Sequence, residues 1–198
     1  MTSRLLVVLV CLFAALSAAA QIPGGNVFVG YSYFRADLSN NRPLAPVFSK
    51  SNLNGWNGAL ELKMLPWISG VADFGGDYGT ARGTPACEAI IPCPAPFDVS
   101  ANLHTFLFGP RASVSIGRVR PFAHVLFGAA HVSAHGTGSN GASISTSDSS
   151  FSTAVGGGLD YKLIKGIAWR FQGDYLQTRF FSNTQNNFRF STGIVLRF

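Results

Sequence analysis

Apolar and polar residues alternate in eight stretches of this chain, at about 26–36, 53–64, 67–79, 99–114, 119–133, 150–162, 166–179 and 187–198. A period of two is that of a β-strand whose two faces meet different surroundings. Long polar connections at 37–52, 80–98 and 134–149, and a shorter one at 180–186, alternate with tight ones at Leu65-Pro66, Ser115–Arg118 and Leu163–Lys165. Strands joined in turn by short and long connections predict an all-β, eight-stranded antiparallel up-and-down barrel with its turns at one end and its loops at the other.

The charges say what surrounds the barrel. In the six clearest strands one face holds residues such as Trp56, Leu60, Phe74, Phe106, Phe171 and Phe190, and no Asp, Glu, Lys or Arg occurs on it. The opposite faces hold Glu61, Asp73, Asp77, Asp160 and Asp174 against Lys63, Arg111, Arg170, Arg189 and Arg197, among Gly, Ala and Ser. A soluble barrel turns its charges to water, so this inverse arrangement predicts an outer face in lipid and a transmembrane β-barrel. In the first strand, apolar on both faces, Val27, Val29, Tyr31 and Tyr33 are assigned to lipid because Gly30 and Ser32 then point inward. The fifth has no clear frame, since His124 and His131 differ in parity; either one faces each way or a bulge intervenes. Pro110 can donate no ladder hydrogen bond, and a bulge is expected at Gly109-Pro110.

Arg4, the apolar run Leu5–Leu16 and the small residues Ser17, Ala18, Ala19 and Ala20 read as a secretory signal peptide, residues 1–20, with the barrel domain spanning 21–198. Cys11 follows Val10, where a lipidation signal requires a small residue. The 198 residues fit one domain, and 12% charged against 47% hydrophobic residues argue against disorder, coiled coil and nucleic-acid binding. The net charge of +6 is scattered, so no nucleic-acid partner is expected.

In the exported chain Cys87 and Cys93 lie in a proline-rich loop, where an oxidising compartment favours a disulfide. No histidine accompanies them, so no metal site is expected. The Ala134–Ser149 loop, rich in Gly, Ser, Thr, Ala and Asn, reads as mobile. Asp73 and Asp77 share the inward face and read as partners of interior arginines. Gly156-Gly157-Gly158 lies within a strand, where it suits close backbone packing.

Taken together the residues resemble the small eight-stranded outer-membrane barrels of the OmpA and OmpX type, the outer membrane protein beta-barrel domains. The stretches that carry the resemblance are the final strand Phe188–Phe198, Tyr31 to Phe34 and Leu107 to Arg111. It implies residence in the bacterial outer membrane, contact with outer-membrane lipid and lipopolysaccharide, a monomer, and Phe198 as the signal for the barrel-assembly machinery. No cofactor and no further domain after the last strand are expected. Eight strands leave an interior that side chains fill, so the expectation is a charge-paired interior with a structural or surface-interaction role in adhesion or membrane integrity. The alternative is an enzyme modifying lipid A, an acyl hydrolase or acyltransferase, because lipid A palmitoyltransferases and deacylases also use eight-stranded barrels. His131-Val132-Ser133 resembles the His-x-Ser pair of the deacylases, and His131 could serve Ser133 as base.

Overall fold

The structure, a computed structural model, describes residues 24–36, 47–48, 51–84, 97–137, 143–180 and 184–198. They form one antiparallel sheet of nine strands, one of which is the two-residue piece Val47–Phe48. The other eight are β1 (Gly25–Ala36), β2 (Ser51–Lys63), β3 (Ile68–Thr84), β4 (Phe97–Ser113), β5 (Val119–Thr137), β6 (Ser143–Ile164), β7 (Ile167–Thr178) and β8 (Gln185–Arg197). Each long strand pairs with its chain neighbours, and β1 pairs with β8, so the sheet closes into an up-and-down barrel. At that seam Gly30 faces Gly193, and a Cβ on Gly193 would stand 2.3 Å from the Gly30 Cα. Only paired glycines let the closing strands approach so closely.

Two of the tight turns are fixed by glycine. Ile116 and Val119 exchange backbone hydrogen bonds of 2.8 and 3.0 Å around Gly117-Arg118, with Gly117 at φ 60°. A two-residue hairpin turn needs positive φ, which glycine adopts without steric cost. The Lys165-Gly166 turn has Gly166 at φ 83°. It starts later than Leu163, because a register shift between Lys162 and Ile164 carries β6 through Ile164.

The faces follow the alternation. Outward Val29, Phe108 and Phe171 are exposed, while inward Phe28, Leu107 and Gln172 are buried. A closed sheet with apolar residues outside and polar ones inside satisfies its backbone within itself and presents hydrocarbon to lipid. β5 obeys the same rule without a bulge: His124 is buried, His131 is exposed, and the register to β4 is unbroken from Phe108↔Phe127 to Arg111↔His124.

The expected bulge at Gly109-Pro110 is absent. The pairs Val71↔Gly109 and Gly70↔Pro110 keep the β3 register, while pairing of these residues with β5 lapses. Losing a ladder contact accommodates the missing N–H, so no extra residue is needed. The segment 134–149, expected as a mobile loop, is mostly strand: the β5–β6 ladder continues to Thr137↔Ser143. Beyond the membrane both faces of a strand meet water, and the apolar contrast that marks a strand is lost while its backbone pairing persists.

Candidate functional site

The barrel interior contains two linked clusters of charge. Toward the turn end, Glu61 accepts from Arg111 at 3.1 Å, Arg120 at 2.9 Å and Ser69 at 2.9 Å, with Arg170 at 3.6 Å. Asp160 takes Arg170 at 2.7 Å and Arg197 at 3.4 Å. The Phe122 ring lies against both guanidinium groups, 4.2 Å from Arg111 and 4.6 Å from Arg170, where the ring face stabilises cations.

Toward the loop end, Arg189 is fully buried and donates to Asp73 at 2.8 Å and Asp174 at 2.7 Å. Asn57 also donates to Asp73, and Gln172 to Asp174. His124 joins the clusters, with Nδ1 3.1 Å from an Arg111 nitrogen and Nε2 2.8 Å from Asp174. Arginine can only donate, so Nδ1 accepts and the ring carries its hydrogen on Nε2, facing Asp174. Gly156 makes the space: a Cβ there would meet Asp174 Oδ1 at 2.2 Å. Beyond Arg189, buried Phe34, Leu53, Leu103, Val132, Leu176 and Phe180 fill the interior toward the loops.

The structure therefore brings together Glu61, Asp73, Asp160, Asp174, Arg111, Arg170, Arg189 and Arg197. Lys63, read as part of this set, is exposed at the turn end, because β2 leaves the barrel there. Asp77 is buried, and among the described residues it forms no ion pair. Arg120 and His124 were not found from sequence, since the β5 frame that points them inward was undetermined.

Outside the barrel, His131 and Ser133 share the outward face, but no hydrogen bond joins them among the described residues. His131 Nδ1 lies 2.8 Å from the hydroxyl of Ser149, on the neighbouring strand. The third member that would orient a catalytic histidine is also missing: no carboxylate of the described residues is bonded to His131. Tyr78 and His104, 3.3 Å apart, continue this outward polar belt, as do the hydrogen-bonded Tyr31 and Asn54. Cys87 and Cys93 lie outside the described residues.

Residues 5–198 match the family of outer membrane protein beta-barrel domains. The chain belongs to that family. This outer membrane protein beta-barrel is similar in fold to Ail, the attachment invasion locus protein of Yersinia pestis, at 16% identity and TM-score 0.60, over 88% of this chain and 98% of Ail. Neisserial surface protein A is similar at 10% identity and TM-score 0.57, over 88% of this chain and 97% of that one. OprG of Pseudomonas aeruginosa, another outer membrane protein, follows at 8% identity and TM-score 0.51, over 89% and 96%. No curated protein matches the chain. At these identities the structural likeness is one of fold. The outer membrane protein beta-barrel resides in the bacterial outer membrane, with a charge-paired, side-chain-filled interior.

A filled interior sets a permeability expectation. Liposomes containing the folded barrel should swell in sugar solutions no faster than empty ones, because the buried ion pairs and the apolar layer above them occupy the bore. Sugar-driven swelling would show an open path.

Proposed function

We propose that this barrel is a surface-interaction protein, whose β5–β6 hairpin carries an open strand edge outside the membrane. The single observation behind this reading is the mismatch in length between β6 and β7. β6 has 22 residues, whereas a tilted crossing of the hydrocarbon takes about 9–11, so about half of it stands beyond the lipid. β7 pairs with β6 only from Ser152↔Thr178 onward, while β5 pairs with it up to Ser143. Among the described residues, no strand pairs with the other edge of 143–151.

Such an edge presents backbone donors and acceptors to any extended polypeptide. Of residues 143–151, Ser143, Ser145, Thr146, Ser147, Ser149 and Ser150 are small and hydroxylated, Ile144 and Phe151 are apolar, and Asp148 is the one charge. That composition leaves the edge without the lysines and prolines that block strand addition elsewhere. The likeness in fold to an attachment invasion protein is consistent with this role.

Further partners follow from chemistry. Exposed Arg35 and Arg179, near the loop end, suit the phosphates of lipopolysaccharide. The alternating final strand ending in Phe198 suits the barrel-assembly machinery. The apolar segment after Arg4 supports export and removal of residues 1–20, leaving a monomeric barrel from 21 to 198. Cys87 and Cys93 would then meet in an oxidising compartment and staple their loop.

The test replaces 134–149 by a short turn in cells that display the protein. Attachment to protein-coated surfaces should fall to the level of cells without the barrel, while unheated electrophoretic migration shows that the variant still folds. Unchanged attachment would refute the reading. Lipid A from the same cells should have the same mass with and without the protein; a lost or added acyl chain would instead support the enzyme reading and direct attention to His131 and Ser133.

A further inference from the structure

The turn end of the barrel is unusual in its chemistry. Hairpin turns facing water favour Asn, Asp, Gly and Ser. Here the first turn runs Lys63, Met64, Leu65, Pro66, Trp67, with Met64 74% and Trp67 56% exposed. The second carries Ile116, 66% exposed, followed by Arg118, and the third runs Lys162, Leu163, Ile164, Lys165, with Ile164 62% exposed. Each of the three turns thus pairs an exposed apolar tip with at least one exposed cation.

No exposed side-chain carboxylate of the described residues accompanies these cations. The two acids nearest this end, Glu61 and Asp160, are 1% exposed and are already paired with interior arginines. Lys63, Arg118, Lys162 and Lys165 form no ion pair within 4.0 Å among the described residues, so their charge is available to a partner. An apolar tip beside a long cationic side chain is the arrangement in which the stem lies in the lipid interface and the charged head reaches the phosphate layer. A carbohydrate or peptide polyanion would match the charge and would leave the apolar tips in water.

We propose that this end of the barrel binds the headgroups of anionic phospholipids in the inner leaflet of the outer membrane, the three apolar turn tips entering the interface and the four cations engaging phosphodiesters. Basic residues near a membrane surface concentrate anionic lipid by roughly fivefold for each charge engaged. The barrel therefore carries an annulus of acidic phospholipid at one end, on the side opposite its external ribbon.

Trp67 reports on this surface directly. In the full chain with Trp56→Phe and Trp169→Phe, Trp67 is the last of the three tryptophans. This protein is reconstituted in phosphatidylcholine vesicles containing equal small amounts of brominated phosphatidylglycerol or brominated phosphatidylcholine. Phosphatidylglycerol should quench Trp67 more strongly, corresponding to an enrichment of roughly fivefold or more, and high salt should remove the difference. The combination of Lys63→Gln, Arg118→Gln, Lys162→Gln and Lys165→Gln should abolish it, and unheated migration verifies folding. Exchange to Lys63→Arg, Arg118→Lys, Lys162→Arg and Lys165→Arg should retain it. Equal quenching by the two lipids would overturn the proposal. So would cation-dependent binding of purified peptidoglycan without lipid enrichment, since the partner would then be the cell wall.

Discussion

Arg189→Ala is expected to lower the unfolding free energy by about 3–5 kcal/mol, measured by urea titration of the barrel in lipid vesicles. The side chain is fully buried between Asp73 and Asp174, and no other arginine of the described residues lies within salt-bridge distance of either carboxylate. Truncation leaves two buried anions without their shared cation, held only by hydrogen bonds from Asn57 to Asp73 and from Gln172 and His124 to Asp174. The penalty is therefore that of the orphaned charges, which exceeds what the ion pairs contribute over an apolar filling of equal volume. Adding Asp73→Asn and Asp174→Asn should recover a large part of the loss, because amides need no counter-charge. If the single variant were as stable as the parent, the interior would be accessible to water and the filled barrel would be wrong.

Glu61→Leu should be destabilising by a similar amount, about 3–5 kcal/mol, with the charges reversed. Glu61 is the shared acceptor of Arg111 and Arg120 and lies 3.6 Å from Arg170. Arg170 retains Asp160, whereas Arg111 and Arg120 lose the carboxylate they share. Arg111→Met in the Glu61→Leu background should cost less than in the parent, a coupling that a double-mutant cycle reads directly. Additive losses would mean that the two side chains do not sense each other.

The legibility of this fold had a physical limit at each step. Lipid excludes charge from one face of each strand, so the outward positions around Trp56, Phe106 and Phe171 could be read from alternation alone. β5 resisted because Ala123, Val125 and Phe127 outside resemble Phe122, Leu126 and Ala130 inside in polarity. There the frame comes from pairing: Arg111↔His124 places the histidine beside the arginine, and Arg120 then faces inward too. Pairing across strands is also what assigns Arg189 to Asp73 and Asp174, a choice among arginines that composition leaves open. The external ribbon was hidden for a different reason. Its Ser- and Gly-rich sequence carries no apolar stripe, and its strand character rests on backbone hydrogen bonds that any residue except proline can make.

The two interior clusters differ in sign. Toward the turns, four arginines (Arg111, Arg120, Arg170 and Arg197) face two carboxylates, Glu61 and Asp160. Toward the loops, three carboxyl groups (Asp73, Asp77 and Asp174) face one arginine, Arg189. The wall of the barrel thus encloses a fixed axial dipole, negative outside and positive inside. An anion entering from outside meets the negative layer first. A cation that passes that layer is repelled by the positive one. Each sign of ion therefore meets one repulsive layer in the bore, so two electrostatic barriers of opposite sign lie in series with the steric filling.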